Sequence, residues 1–168
     1  KLDYDTWAQM GNTGWSYDDV LPFFKKMENY QGSISELRGT NGPLKVSEVS
    51  DRNPIYEGLF KAAEEIKIPF NKDYNGDDQE GIGYTQTTIF NGERMSAEVA
   101  YLRPIKSRKN LTIITNSLVK KLLFNGKKCI GLEVKIKNKI IKYSVSKEII
   151  LSGGAINSPQ ILELSGIG

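Results

Sequence analysis

The sequence predicts a mixed α/β fold, and three observations carry that reading. Apolar residues recur at helical spacing in the first half, β-branched runs alternate around turn residues in the last third, and the chain closes on a strand, a glycine pair and a helix. At 168 residues, 39% hydrophobic and 26% charged, the chain has the composition of a globular protein with one core or two small ones. No apolar run reaches the ~20 residues of a membrane helix, so no transmembrane segment is expected. The start at Lys1 without a methionine, and the stop at Ser165-Gly166-Ile167-Gly168, lead us to expect an internal segment of a longer protein.

In order along the chain, Ser16 and Asp19 make a capping-box start for a helix with Val20, Phe24 and Met27 on one face, and Pro22 is expected to kink or restart it before the region ends near Tyr30. The Gly- and Ser-rich stretch 31–43 is expected to form an exposed loop or lid. A second helix is capped by Asn53, has Pro54 at its first position, and presents Ile55, Leu59, Ala62 and Ile66 until Pro69 ends it. The acidic run from Asp73 to Asp78 fails the calcium-loop spacing, with Asp78 where glycine is needed and Tyr84 where glutamate is needed, and reads as a surface turn. Tyr84 to Phe90 alternates as a short strand. Ser96 caps a brief helix that should stop before Pro104, and Arg94 is read as a loop anchor.

The last third is the most legible. The β-branched run 111–115 is followed by 118–124, Asn125-Gly126, the alternating Ile130, Leu132, Val134 and Ile136, a turn at Asn138-Lys139, and Ile141, Tyr143 and Val145: a three-stranded antiparallel meander. Residues 148–152 then read as a buried strand, Gly153-Gly154 as a tight turn, and Ser158-Pro159 as a helix start, with Leu162 on the buried face and Gly166 past the end. Glycines in such a turn let a ligand approach the backbone, and the helix that follows offers free amide donors. The same glycines could equally serve backbone geometry alone.

Charge and residue inventory narrow the function. Residues 1–100 hold 10 Lys/Arg and 17 Asp/Glu, a net charge of −7, whereas residues 101–168 hold 13 and 3, a net charge of +10. Lys135, Lys137, Lys139 and Lys142 alternate with or flank apolar strand residues, which is the pattern of a solvated sheet face rather than of a nucleic-acid or anionic-membrane site. With one cysteine, Cys129, and no histidine, the chain has neither an internal disulfide nor the usual Cys/His metal and nucleophile sets, so no catalytic and no metal residue is named. A proton-abstracting base must then come from elsewhere.

The string from Gly154 to Gly168, GAINSPQILELSGIG, resembles the second signature motif of the glucose-methanol-choline (GMC) oxidoreductases. GNTGWSYDDVLPFFKKMENY from Gly11, RGTNGPLKV from Arg38, the Gly81 to Tyr84 stretch, RMSAEVAYLRP from Arg94 and NLTIITNSLVKKLLFNGKKCIGLEV from Asn110 are similar in order and spacing, so the resemblance spans nearly the whole chain. The wording is similar to insect glucose-dehydrogenase-like and choline-dehydrogenase-like members, which favours a secreted location.

The resemblance implies an FAD cofactor and hydride transfer from the CH–OH group of a small-molecule alcohol or sugar, with the electron acceptor left open. It implies residues 1–42 as a connecting helix and lid-like loop, 43–102 as part of a substrate-binding domain and 103–168 as part of an FAD-binding domain. It places the backbone of Val119 at the adenine, Gly153 and Gly154 near the adenosine and diphosphate, and Ser158 at the start of the helix behind them. Tyr84, Gln86, Thr88 and Phe90, alternate positions of one strand, are the residues expected to face substrate, with an ordinary polar sheet face as the competing reading. The family's diphosphate-binding G-x-G-x-x-G turn, its ribose-binding acidic residue and its C-terminal pair, a histidine base with a second histidine or an asparagine, have no counterpart here. A same-fold lyase or steroid-hydroxyl oxidase, and a non-enzymatic β-rich binding protein, are the alternatives.

Overall fold

A computed structural model describes all 168 residues as two compact units, 1–111 and 112–168. In the first, α1 (Leu2–Gln9) precedes α2 (Tyr17–Met27), and α2 runs straight into β1 (Glu28–Tyr30). The capping box forms as expected: the Asp19 amide donates to Ser16 Oγ at 3.2 Å and the Ser16 amide to Asp19 Oδ2 at 3.2 Å. Pro22 neither breaks nor restarts α2, which is continuous through it with Val20 buried. The α1 helix was not foreseen, although Asp3 and Asp5 in its first turn suit the positive end of a helix dipole.

Strand β2 (Leu44–Glu48) pairs parallel with β1 and antiparallel with β3 (Gln86–Thr87). Helix α3 (Ile55–Glu65) has Pro54 at its N-cap, one residue later than expected, while Asn53 Oδ1 still accepts from the Ile55 amide at 3.1 Å; its inward face is not the one expected. Ile55, Leu59 and Ile66 are exposed. Tyr56, Phe60 and Ala63 turn inward instead, because the two rings pack edge-to-face on Tyr84, with centroids 5.8 and 4.9 Å away.

The single strand expected over 84–90 is broken. Thr88 separates β3 from β4 (Ile89–Phe90), which folds back on β5 (Glu93–Arg94) through Asn91 and Gly92, both at positive φ. Ser96 Oγ accepts from the Val99 amide as a cap. The helical stretch does not stop before Pro104: a π-helical turn Glu98–Leu102 passes into a 3-10 turn Arg103–Ile105, where proline sits near a start and its missing amide costs nothing. Arg94 is exposed and anchors no loop; Arg103 does, bridging Glu93 at 2.8 Å and Glu98 at 3.1 Å.

In the second unit, β6 (Ser117–Asn125), β7 (Lys128–Ile136) and β8 (Lys139–Ser144) form the expected antiparallel meander, and α4 (Gly154–Leu164) packs against β6. The run 111–115 adds no strand to it. Both turns lie one residue from the sequence reading. Asn125 pairs with Lys128 and Ile136 with Lys139, so the two-residue loops are Gly126-Lys127 and Lys137-Asn138. A bulge between Val119 and Lys121 lets Val119 and Leu122 share one face with Val134, Leu132, Ile141 and Tyr143. The opposite face carries Lys121, Glu133 and Lys142 in cross-strand register, with Glu133 taking Lys142 at 3.5 Å and Lys121 at 3.8 Å. Of the four lysines expected on a solvated face, all are exposed, but only Lys135 and Lys142 lie on this one; Lys137 is in the turn and Lys139 pairs with Ile136 on the apolar face.

Residues 148–152 form no buried strand: they have no strand partner, and Ile150 is 80% exposed. An apolar run of this kind is buried only with a neighbour on each side. Helix α4 also begins at Gly154, four residues before the expected Ser158-Pro159 start, and carries Pro159 inside it.

Candidate functional site

The closing turn is built from the glycines outward. Gly153 caps α4, and its amide donates to Ser158 Oγ at 2.9 Å, so Ser158 acts from inside the helix to fasten the turn rather than to begin the helix. Gly154 has φ +85°, a left-handed conformation that costs a side-chain-bearing residue roughly 1–2 kcal/mol. No atom lies within 4 Å of where a Cβ on Gly154 would sit. Both glycines are exposed, and the N-terminal amides of α4 start beside them. Such a turn lets a phosphate-bearing ligand reach main chain and helix N-terminus together, so the residues present fit a dinucleotide.

Val119 is half-buried on β6. Since β6 is an edge strand, one row of its backbone groups is left unclaimed by β7. Where its outer edge meets the C-terminal end of α4, the Leu122 amide donates to Ser165 Oγ at 2.8 Å. The structure therefore places Val119, Gly153, Gly154 and Ser158 on the two elements of one unit that pack together.

In the first unit, the expected substrate-facing residues stand in three different surroundings. Tyr84 lies in the aromatic cluster of α3, beneath the Arg52 guanidinium at 3.8 Å. Phe90 lies beneath Lys45 Nζ at 4.0 Å. Gln86 is drawn into a polar network centred on Arg38, which sequence reasoning left inside an exposed loop.

Arg38 is 5% exposed. It donates twice to Glu28, from Nε at 3.0 Å and Nη2 at 2.5 Å, and from Nη1 to Asp73 at 2.7 Å and to Gln86 Oε1 at 2.9 Å. Its plane lies 3.7 Å from the Tyr30 ring centroid. Gln86 Nε2 donates onward to Asp73 Oδ1 at 2.8 Å and Tyr30 OH at 3.1 Å. Burial pulls the Arg38 guanidinium down, but the hydrogen bonds and charge of Glu28, followed by Asp73, outweigh it and hold the group above its ordinary value. The Tyr30 phenol is pushed up, first by burial and then by the charge of Asp73.

This network ties down two segments. The stretch 31–43 is exposed over most of its length, as expected, but it is pinned at three points: Arg38, Gly39 and Gly42 are buried, and the Gly39 amide donates to Glu28 Oε2 at 3.0 Å, so close to α2 that a Cβ on Gly39 would meet the Lys25 carbonyl. The surface turn at 73–78 is anchored from below through Asp73. A cleft of about 350 Å³ opens beside Gln86 and Thr88, walled by Tyr17, Phe24 and Leu44. No signal local in sequence joins Glu28, Arg38, Asp73 and Gln86, which explains why the network was missed.

Comparison with known proteins identifies the family. The family model described as GMC oxidoreductase matches residues 1–168. The chain is 41% identical over 166 residues to the oxygen-dependent choline dehydrogenase of Brucella anthropi, and 42% identical over 166 residues to the mitochondrial choline dehydrogenase of Homo sapiens. These alignments cover 99% of this chain but 30% and 28% of those proteins, so the chain spans under a third of their length. It superposes on an FAD-dependent oxidoreductase from Chaetomium thermophilum with a TM-score of 0.91 at 32% identity, covering 99% of this chain and 31% of that one. Pyridoxine 4-oxidase from Mesorbium loti gives 0.89 at 29% identity, with 99% and 33% covered. With the glycine turn, the meander and the Arg38 loop all falling within one matched span, the chain belongs to the GMC oxidoreductase family.

Proposed function

We propose that the protein to which these residues belong oxidises the CH–OH group of a small alcohol or sugar, with FAD as the bound cofactor. The observation that carries this reading is the open, left-handed Gly154 at the start of α4 in a chain matched to the family from end to end. When bound, FAD supplies the electron-poor ring that accepts a hydride from the alcohol carbon.

The chain's own residues hold and orient. Gly153 and Gly154 form one wall against the adenosine and diphosphate, Ser158 fixes that turn through the Gly153 amide, and the backbone of Val119 faces the adenine. Residues 43–102 form part of the substrate domain, 103–168 part of the FAD domain, and 1–42 connect to them. On the substrate side, Tyr84, Gln86 and Phe90 are the proposed contacts, with Gln86 at the cleft. With no histidine in the chain, the base that takes the hydroxyl proton comes from outside these residues. Relatives named for choline and pyridoxine favour a small polar alcohol over a long apolar one. Likeness to insect-type members is the one support for secretion.

The test is an anaerobic titration of the full-length protein with a panel of small alcohols and sugars. Loss of the oxidised flavin's visible absorption on adding one of them is the expected result. A yellow protein that no alcohol or sugar bleaches would exclude this activity and favour a same-fold enzyme with another reaction.

A further inference from the structure

Helix α4 packs against β6, and at the end opposite its glycine turn one hydroxyl also bonds it to that strand. Ser165 Oγ donates its single proton to the Ile161 carbonyl at 2.5 Å and accepts from the Leu122 amide at 2.8 Å. Those two bonds use the group in a fixed sense: the proton points back into the helix and a lone pair points to the sheet. Leu122 is 8% exposed and lies on the strand that carries Val119, with the bulge between the two.

The end of the helix is shaped around this bond. The Ile167 amide donates to the Leu162 carbonyl at 3.0 Å and the Gly166 amide to the Glu163 carbonyl at 3.0 Å, with Gly166 at φ +84°. This is a Schellman closure, with Ser165 as the C-cap after the last helical residue, Leu164. The terminal Ser-Gly-Ile-Gly therefore does two separate things: the glycine turns the chain away, and the serine ties the helix to β6.

We propose that Ser165 is a positioning residue of the flavin site, acting through α4 and β6 and touching no cofactor atom itself. It holds the Gly153-Gly154 turn at a fixed place relative to the Val119 segment. Loss of the hydroxyl leaves the Leu122 amide without a partner and frees the helix to shift along the strand, loosening the cradle. The inference rests on the flavin reading above.

The test uses the full-length holoenzyme and compares Ser165→Ala, Ser165→Thr and Val20→Ala, the last a cavity at a buried position of α2 that leaves both hydrogen bonds and the Val119 strand alone. FAD dissociation constants and the visible circular dichroism of the bound flavin are read well below each variant's melting temperature. Ser165→Ala is expected to weaken FAD about tenfold, the worth of one ordinary hydrogen bond, and to alter the dichroism. Ser165→Thr keeps the hydroxyl and is expected to hold FAD as the parent does. Val20→Ala is expected to lower the melting temperature without changing flavin affinity. FAD affinity in Ser165→Ala equal to the parent's would overturn the proposal, as would an equal loss in Val20→Ala, since stability alone would then explain it. A parent protein that carries no FAD would instead sink the flavin reading beneath it.

Discussion

Arg38 and Glu28 meet as a two-point ion pair, Nε to Oε2 at 3.0 Å and Nη2 to Oε1 at 2.5 Å, with the arginine side chain 3% exposed. The pair joins the end of α2 to a loop that composition alone would leave in solvent. Glu28 and Asp73 bring two negative charges to one positive, so the arginine cannot be removed without leaving carboxylates that are partly buried and repel each other.

Arg38→Met is expected to destabilise the first unit by about 3 kcal/mol, the usual result of breaking a buried pair from one side. Arg38→Lys should recover only part of this, because an ammonium cannot meet both Glu28 oxygens in one plane. Urea unfolding of the full-length variants measures both, and a loss within experimental error for Arg38→Met would show that the network contributes nothing net.

Tyr30 makes the stability pH-dependent at the alkaline end. Its phenol is raised in the folded protein, so the stabilisation is fully present below the unfolded phenol's value near pH ~10 and is lost as pH rises through the higher folded value. Melting temperature should therefore fall more steeply above that pH in the parent than in Tyr30→Phe. The variant should be less stable at neutral pH, where it lacks the bond from Gln86 Nε2. Parallel alkaline limbs in the two proteins would contradict the assignment.

At the start of α2, Ser16→Ala removes the side-chain half of the capping box and should cost about 1 kcal/mol. Ser16→Asn, which keeps an acceptor for the Asp19 amide and adds no charge beside Asp19, should cost less. Thermal denaturation of the two variants distinguishes a working cap from an incidental contact.

What the sequence made legible was whatever depends on near neighbours. The Ser16 cap, the Asn53 start of α3, the meander and the glycine turn all follow from residues within a few positions of one another. Turn loops slipped by one residue at Asn125 and Ile136 because strand register is decided by pairing across the sheet and not by the turn dipeptide alone. The inward face of α3 was misread because the partner that selects it, Tyr84, is distant in sequence. The Arg38 network was invisible for the same reason, with partners at 28, 73 and 86. Residues 148–152 carry the hydrophobicity of a central strand, yet burial depends on neighbours that residues 112–168 do not supply.

The central claim is that the Gly153-Gly154 turn forms one wall of the FAD site, and flavin content of full-length Gly154→Val tests it most directly. A side chain there would project into space that no atom of this chain occupies, and it would also strain a backbone at φ +85°. The parent is expected to release one FAD per chain on denaturation, and the folded variant to have lost most of it. A folded Gly154→Val protein that carries as much FAD as the parent would contradict the account.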